Sequence, residues 1–308
     1  PADYSVICVE QKDRRLISVL LDDTAAQELF DSVESCMEGQ TDWRIVILDV
    51  KATAPTKNAE EEATQTQQKA TREEIYADVG KSAALGADFV VLIVLSTIVA
   101  AIGMNTNSIA SVIGAMVIAP LLGPVLAFTF GASLGDDKLL RRTGLSLGIG
   151  ILLSFAVAYL LSFIIQVNPE SEQLVSRAEV SLDAVALAMA AGAAAALSLA
   201  KGNSSILVGV MVAAALLPPI AAVGLYLGSG HWELAMRCAL LLALNLASLI
   251  LSGLIVFWVK GIRPRKWIEQ ANARRAILLH AGISLVFLLL CLFLIVYLGL
   301  DEKISFPG

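Results

Sequence analysis

Charge is scarce in this sequence. Of its 308 residues only 16% are charged, whereas 57% are apolar and the mean hydropathy is +0.75. Soluble domains carry about 25% charged residues. The shortage excludes an ordinary soluble enzyme, a nucleic-acid binder and a disordered chain. Cysteine is also sparse. Cys8, Cys36, Cys238 and Cys291 show no CxxC or CxH spacing, which excludes a disulfide framework and a zinc site. They read as reduced, mostly buried thiols. No HExxH, GxGD or GxSxG stretch occurs in the apolar runs. The expectation is therefore a protein that is not an enzyme and has no metal or cofactor.

The charge that exists is unevenly placed. Residues 1–82 hold nine basic and seventeen acidic residues; residues 83–308 hold thirteen and eleven. The acidity thus belongs to an N-terminal soluble part. Within it, residues 4–10 and 15–21 read as β-branched strands around a turn at 11–14. Residues 24–36 read as an amphipathic helix with Asp23 or Thr24 as N-cap, and 43–50 as a third strand. The order β-β-α-β resembles the latter part of a ferredoxin-like sandwich. It predicts that a β-α pair precedes Pro1. Residues 1–55 are then a small α+β domain, and 56–82 a polar linker turning into a helix.

From residue 83 the apolar runs are long enough to cross a bilayer, which takes about 20 residues each. Seven spans are predicted, at 83–104, 108–133, 144–167, 182–200, 205–229, 237–259 and 276–300. Basic residues set the orientation. With a cytoplasmic N-terminus, inside loops hold ten basic residues, concentrated between Lys260 and Arg275, and outside loops three. The C-terminus is then outside. Residues 260–308 form a basic loop and a peripheral seventh span.

A shift of 95 residues overlays two of these runs. Gly114, Met116, Val117, Ala119, Leu121, Leu122 and Pro124 recur without a gap as Gly209, Met211, Val212, Ala214, Leu216, Leu217 and Pro219. The same shift carries Asp88 to Asp183. Residues 83–167 and 168–259 therefore read as two copies of a three-span unit. An odd number of spans inserts the second copy upside down, the inverted repeat typical of secondary transporters. The expected fold is mostly α: a polytopic helical membrane protein with a 3+3 inverted repeat, behind a cytoplasmic α+β domain.

Proline should break the second and fifth spans, at Pro120, Gly123 and Pro124 and at Pro218 and Pro219, because it removes a helix hydrogen bond. Paired breaks at matching positions point to a transport site or, more simply, to packing kinks. Polar neighbours are few. Ser111, Ser198 and Asn245 are candidates for the pathway, with helix glue as the competing reading. Asp88 and Asp183 are either ion-coupling carboxylates or helix caps at the interface. The small-residue run at 190–196 belongs inside the bundle or at a subunit contact.

Three stretches, G-x-M-V-x-x-P-L-L-G-P at 114–124, A-G-A-A-A-A-L-S at 191–198 and A-x-L-L-P-P at 214–219, together resemble the domain-of-unknown-function family numbered 389, of bacterial and archaeal integral membrane proteins. The resemblance covers most of residues 1–260. It implies a prokaryotic inner-membrane protein with a ferredoxin-like soluble domain, and carries over no substrate or site residue. From the repeat and the breaks, the expectation is a secondary transporter or channel-like protein for a small solute or ion, in the lipid bilayer and as a homo-oligomer, a dimer by preference. The alternative is a membrane-anchored sensor or scaffold whose N-terminal domain carries the function.

Overall fold

The structure is a computed structural model. It describes residues 6–11, 14–19, 23–37, 45–46, 72–202 and 206–262, and four further positions at 282, 285, 286 and 289. The chain divides into two compact units, residues 1–76 with 200–202, and residues 77–199 with 203–308.

In the first unit, strands β1 (Val6–Gln11) and β2 (Arg14–Val19) pair antiparallel, with Gln11 opposite Arg14 and Val6 opposite Val19. This is a tight hairpin, one residue longer on the inner side of each strand than the sequence pattern suggests. Helix α1 follows at Asp23–Cys36, at the expected place. The third expected strand lies outside the described residues, apart from Ile45 and Val46. Helix α2 (Arg72–Ser82), the helix expected at the end of the polar linker, begins in this unit and ends in the second.

The second unit is a helical bundle. Its elements are α3 (Ala87–Asn105), α4 (Ile109–Ile118), α5 (Leu122–Leu134), α6 (Asp137–Leu161), α7 (Glu172–Ala178), α8 (Leu182–Ala200), α9 (Ile206–Gly228) and α10 (Trp232–Val259). Helices α3, α6, α8, α9 and α10 are long and apolar enough to cross a membrane. The pair α4 and α5, bent by 53° at a short break, makes a sixth span if it counts as one. The first six expected spans thus have counterparts. The third begins at Asp137, earlier than its apolar run, because Asp136 caps it by accepting from the N–H groups of Lys138 and Leu139. The seventh expected span, 276–300, lies outside the described residues apart from the four isolated positions.

Packing in the bundle depends on small residues at crossings. A Cβ on Gly224 of α9 would lie 2.7 Å from Ala158 Cβ and 2.8 Å from the Phe155 carbonyl oxygen on α6. One turn on, Gly228 meets Ser162. The contacts advance together along both chains, so α6 and α9 run parallel. The small-residue run of α8 packs inward. Val180 and Val185 cluster with Leu241 and Leu244 of α10. A Cβ on Gly192 would stand 2.6 Å from the Leu249 carbonyl oxygen. Ala191, Ala195 and Ala196 are buried. On its other flank α10 joins α5 and α6 through Ala132, Leu140, Ile250 and Leu254, and Phe130 meets Phe257 edge to face.

The segment between α6 and α8 is more than a connection. It contains α7 and is sewn to the ends of two spans. Asn105 Nδ2 donates to the Gln166 carbonyl (2.9 Å), and Asn105 Oδ1 accepts from the Asn168 N–H (2.7 Å). Ser171 Oγ donates to the Met104 carbonyl. The Tyr226 hydroxyl donates to the Pro169 carbonyl (3.1 Å). The bond from Ser171 thereby adds a donor to a carbonyl in the last turn of α3, where intrahelical partners run out. Burial on α7 also holds the Arg177 guanidinium below its ordinary pKa range.

Candidate functional site

The two proline clusters behave differently. Helix α4 ends at Ile118. Ala119, just before Pro120, adopts extended backbone (φ −67°, ψ 120°), as a residue preceding proline prefers. Helix α5 then restarts at Leu122, with Gly123 and Pro124 inside its first turn. A first-turn N–H has no intrahelical acceptor, so Pro124 loses nothing there. Pro120 therefore makes the break, and Pro124 only begins the next helix.

Pro218 and Pro219 make no break. This corrects the expectation for the fifth span: α9 runs continuously from Ile206 to Gly228 through both. The rings remove the amide hydrogens that would have bonded the carbonyls of Ala214 and Ala215. Asn245 of α10 supplies one replacement, its Nδ2 donating to the Ala215 oxygen at 2.8 Å. Both prolines and Asn245 are buried. An interhelical side chain thus stands in for the backbone donor that Pro219 lacks.

At the first break, the buried Leu121 fits against α6 where Gly150 carries no side chain. A Cβ there would lie 3.5 Å from Leu121 Cδ2 and 3.2 Å from Phe89 Cζ of α3. Leu122 reaches α9, 3.4 Å from the Cβ position of Gly209. The break is therefore packed among α3, α6 and α9.

The other predicted residues separate. Ser111 lies in the first turn of α4, away from the break. Its hydroxyl pairs with that of Ser108, the α4 N-cap, at 2.9 Å. Ser198 is half-buried in the last turn of α8. Asp88 and Asp183 are exposed, each the second residue of its helix. Neither is the cap: Gly86 holds that position at α3, and Ser181 Oγ accepts from the Ala184 N–H at α8. First-turn carboxylates still complement the helix dipole. Among the described residues no group of three His, Cys, Asp or Glu could hold a metal ion.

Sequence reading alone did not connect Asn245 with Pro219, nor Gly150 with Leu121. A signal was present. Gly150 and Asn245 are themselves 95 positions apart, as are Pro120 and Ala215.

Long apolar helices interlocked by small residues, one span broken and another spliced through its prolines, define a polytopic helical bundle of membrane-crossing dimensions. The family model described as Domain of unknown function (DUF389) matches residues 116–251, which include both proline clusters and Asn245. An uncharacterized protein of Methanocaldococcus jannaschii is 30% identical over 271 residues, covering 88% of this chain and 84% of that protein. The chain belongs to this family. No solved structure matches it.

Proposed function

We propose that this protein is a secondary transporter or channel-like protein for a small solute or ion, working through two inverted three-span units. Support comes from the register of the elements. Ala87 and Leu182 start α3 and α8, Asn105 and Ala200 end them, and Asp137 and Trp232 start α6 and α10. Each pair is 95 positions apart. So are the positive-φ residues of two pairs of turns, Asn107 with Gly202 and Gly135 with Gly230. Parallel α6 and α9 fit an upside-down second copy, because the third and fifth spans of such a repeat point the same way.

One observation carries the functional reading: the two spans that this repeat would make equivalent hold different shapes. The middle span of the first unit is bent by 53° at Pro120, whereas that of the second is continuous through Pro218 and Pro219. Exchange of shapes between pseudo-equivalent halves is how inverted repeats alternate access. On this reading the N-terminus is cytoplasmic, the host membrane is a prokaryotic inner membrane, and a homodimer is the working form. The bond from Asn245 to Ala215 is the latch that must open when α9 takes its turn to bend.

Reconstituted in proteoliposomes, the purified chain is expected to give protein-dependent uptake of sodium or a co-transported solute. Pro219→Ala, which restores a backbone donor and keeps α9 straight, should reduce uptake at least about tenfold, the effect of about 1.4 kcal/mol against the bent state. Full uptake by Pro219→Ala would sink the exchange mechanism. Absence of uptake under any imposed gradient would sink the transport reading.

The separate compact unit at the N-terminus favours a second reading, a membrane-anchored sensor or scaffold. Deleting residues 1–55 distinguishes the two: flux survives if the bundle transports, and the cellular function disappears entirely if the N-terminal unit carries it.

A further inference from the structure

Buried hydroxyls on these helices follow one habit. Ser96, Thr97, Thr129, Ser133, Thr143 and Ser252 each donate to a carbonyl three or four residues back. That is the default for serine and threonine at helix positions, where the preceding turn offers a free lone pair. Ser154 on α6 departs from it, and so does Ser248 on α10: Ser248 is 0% exposed, and its Oγ has no hydrogen-bond partner among the described residues. One turn before it on α10, Asn245 is 5% exposed, and its Oδ1 likewise has none. Buried polar atoms are nearly always paired, because an orphan loses its hydration without compensation. Two orphans a single turn apart on one helix face call for a common partner.

Chemistry narrows that partner. Only an N–H can donate to the Ala215 carbonyl, so the bond from Asn245 fixes its amide orientation and leaves Oδ1 as a pure acceptor. Ser248 Oγ adds a second oxygen. Pro218 frees the Ala214 carbonyl on the same turn of α9. An anion finds no donor at Oδ1, so the ligand must be positive or donate hydrogens. No Asp or Glu occurs from 184 to 232 or from 234 to 259. With only neutral oxygens to compensate its lost hydration, a divalent ion is disfavoured against a monovalent one.

We propose that Asn245 Oδ1 and Ser248 Oγ form a binding site for a small monovalent cation, of the sodium class, where α10 meets the proline-bearing turn of α9. A carbonyl freed by proline within the continuous α9, an amide oxygen and a hydroxyl suit such an ion, since they replace its water without adding charge. The site rests on the transport reading for its purpose, because a cation held beside the latch would favour the straight form of α9. Its existence can be tested separately.

The experiment is radiolabelled sodium binding to the full chain in nanodiscs, with thermal unfolding in sodium against choline chloride at equal ionic strength. Saturable binding and a sodium-dependent rise in melting temperature are expected. Ser248→Ala should weaken binding at least about tenfold, the loss of one charge-assisted contact. Ser248→Cys, which fills the position with a slightly larger, soft sulfur in place of the oxygen, should do the same. Ser154→Ala, which removes another unpartnered buried hydroxyl on α6, should leave binding unchanged. No saturable binding, or wild-type binding in well-folded Ser248→Ala, would overturn the site and leave a structural water as the partner. Binding without any flux would keep the site and remove the transport reading. Flux indifferent to sodium, with no binding, would remove the site alone.

Discussion

Asn245→Leu is expected to destabilise the folded bundle by about 1–3 kcal/mol, because it strands the Ala215 carbonyl in a dry interior. Interhelical hydrogen bonds in membranes average only about 0.6 kcal/mol. This one should lie above that mean, since Pro219 has removed the carbonyl's ordinary donor. The decisive measurement is a double-mutant cycle. In Pro219→Ala the residue at 219 regains an N–H, which can bond the Ala215 oxygen within α9. Asn245→Leu should then cost little. Pro219→Ala by itself should be more stable than the wild type, since proline inside a helix costs about 3 kcal/mol. Unfolding curves of the four proteins in detergent report both quantities. Strictly additive costs would mean that Asn245 and Pro219 are not coupled, and the latch would have no basis.

The second large effect concerns glycine. Gly192→Ala and Gly224→Ala should each destabilise the bundle by about 1–3 kcal/mol, the usual cost of overpacking. At both positions the added Cβ meets backbone, which cannot rotate away. For Gly192 the nearest backbone is the Leu249 carbonyl oxygen at 2.6 Å, and for Gly224 the Phe155 carbonyl oxygen and the Tyr159 nitrogen at 2.8 Å. Gly114→Ala on α4 is the control. Nothing lies within 4 Å of its Cβ position, and the better helix propensity of alanine should stabilise it by about 1 kcal/mol. Melting temperatures of the three variants test the pattern. Equal losses at all three would show that generic helix effects, rather than close crossings, set these values.

Much of this bundle is legible in the sequence. Helix α8 occupies the expected interval 182–200, and α9 differs from its apolar run by a residue at each end. Both are bounded by abrupt changes in hydropathy, which is a local property. Less legible was α6, whose first turn is polar. Asp136 and Asp137 start it, and a search for apolar residues overlooks a cap. The helix α7 was not expected at all. Its seven residues are too short and too polar to announce themselves, and its place depends on partners as distant as Met104 and Tyr226.

Among the candidate residues, Asn245 proved to pair with the turn of α9 that carries Pro218 and Pro219, whereas Ser111, Ser198, Asp88 and Asp183 lie at helix ends. Sequence could rank Asn245 highly, because an amide in an apolar run needs a partner. It could not name Ala215 as that partner, 30 residues away on another helix.

By itself the sequence determined that the chain is built of membrane-length apolar helices, where most of them begin and end, and that a 95-residue register runs through them. These depend on hydropathy and on turn-forming residues, which act within a few positions. Only the tertiary structure decided which prolines break a helix. A proline deletes one donor in either case. At Pro120 the freed carbonyl is that of Met116, and α4 ends before the ring, with Ala119 extended. At Pro219 it is that of Ala215, to which Asn245 donates from an adjacent helix, and α9 continues.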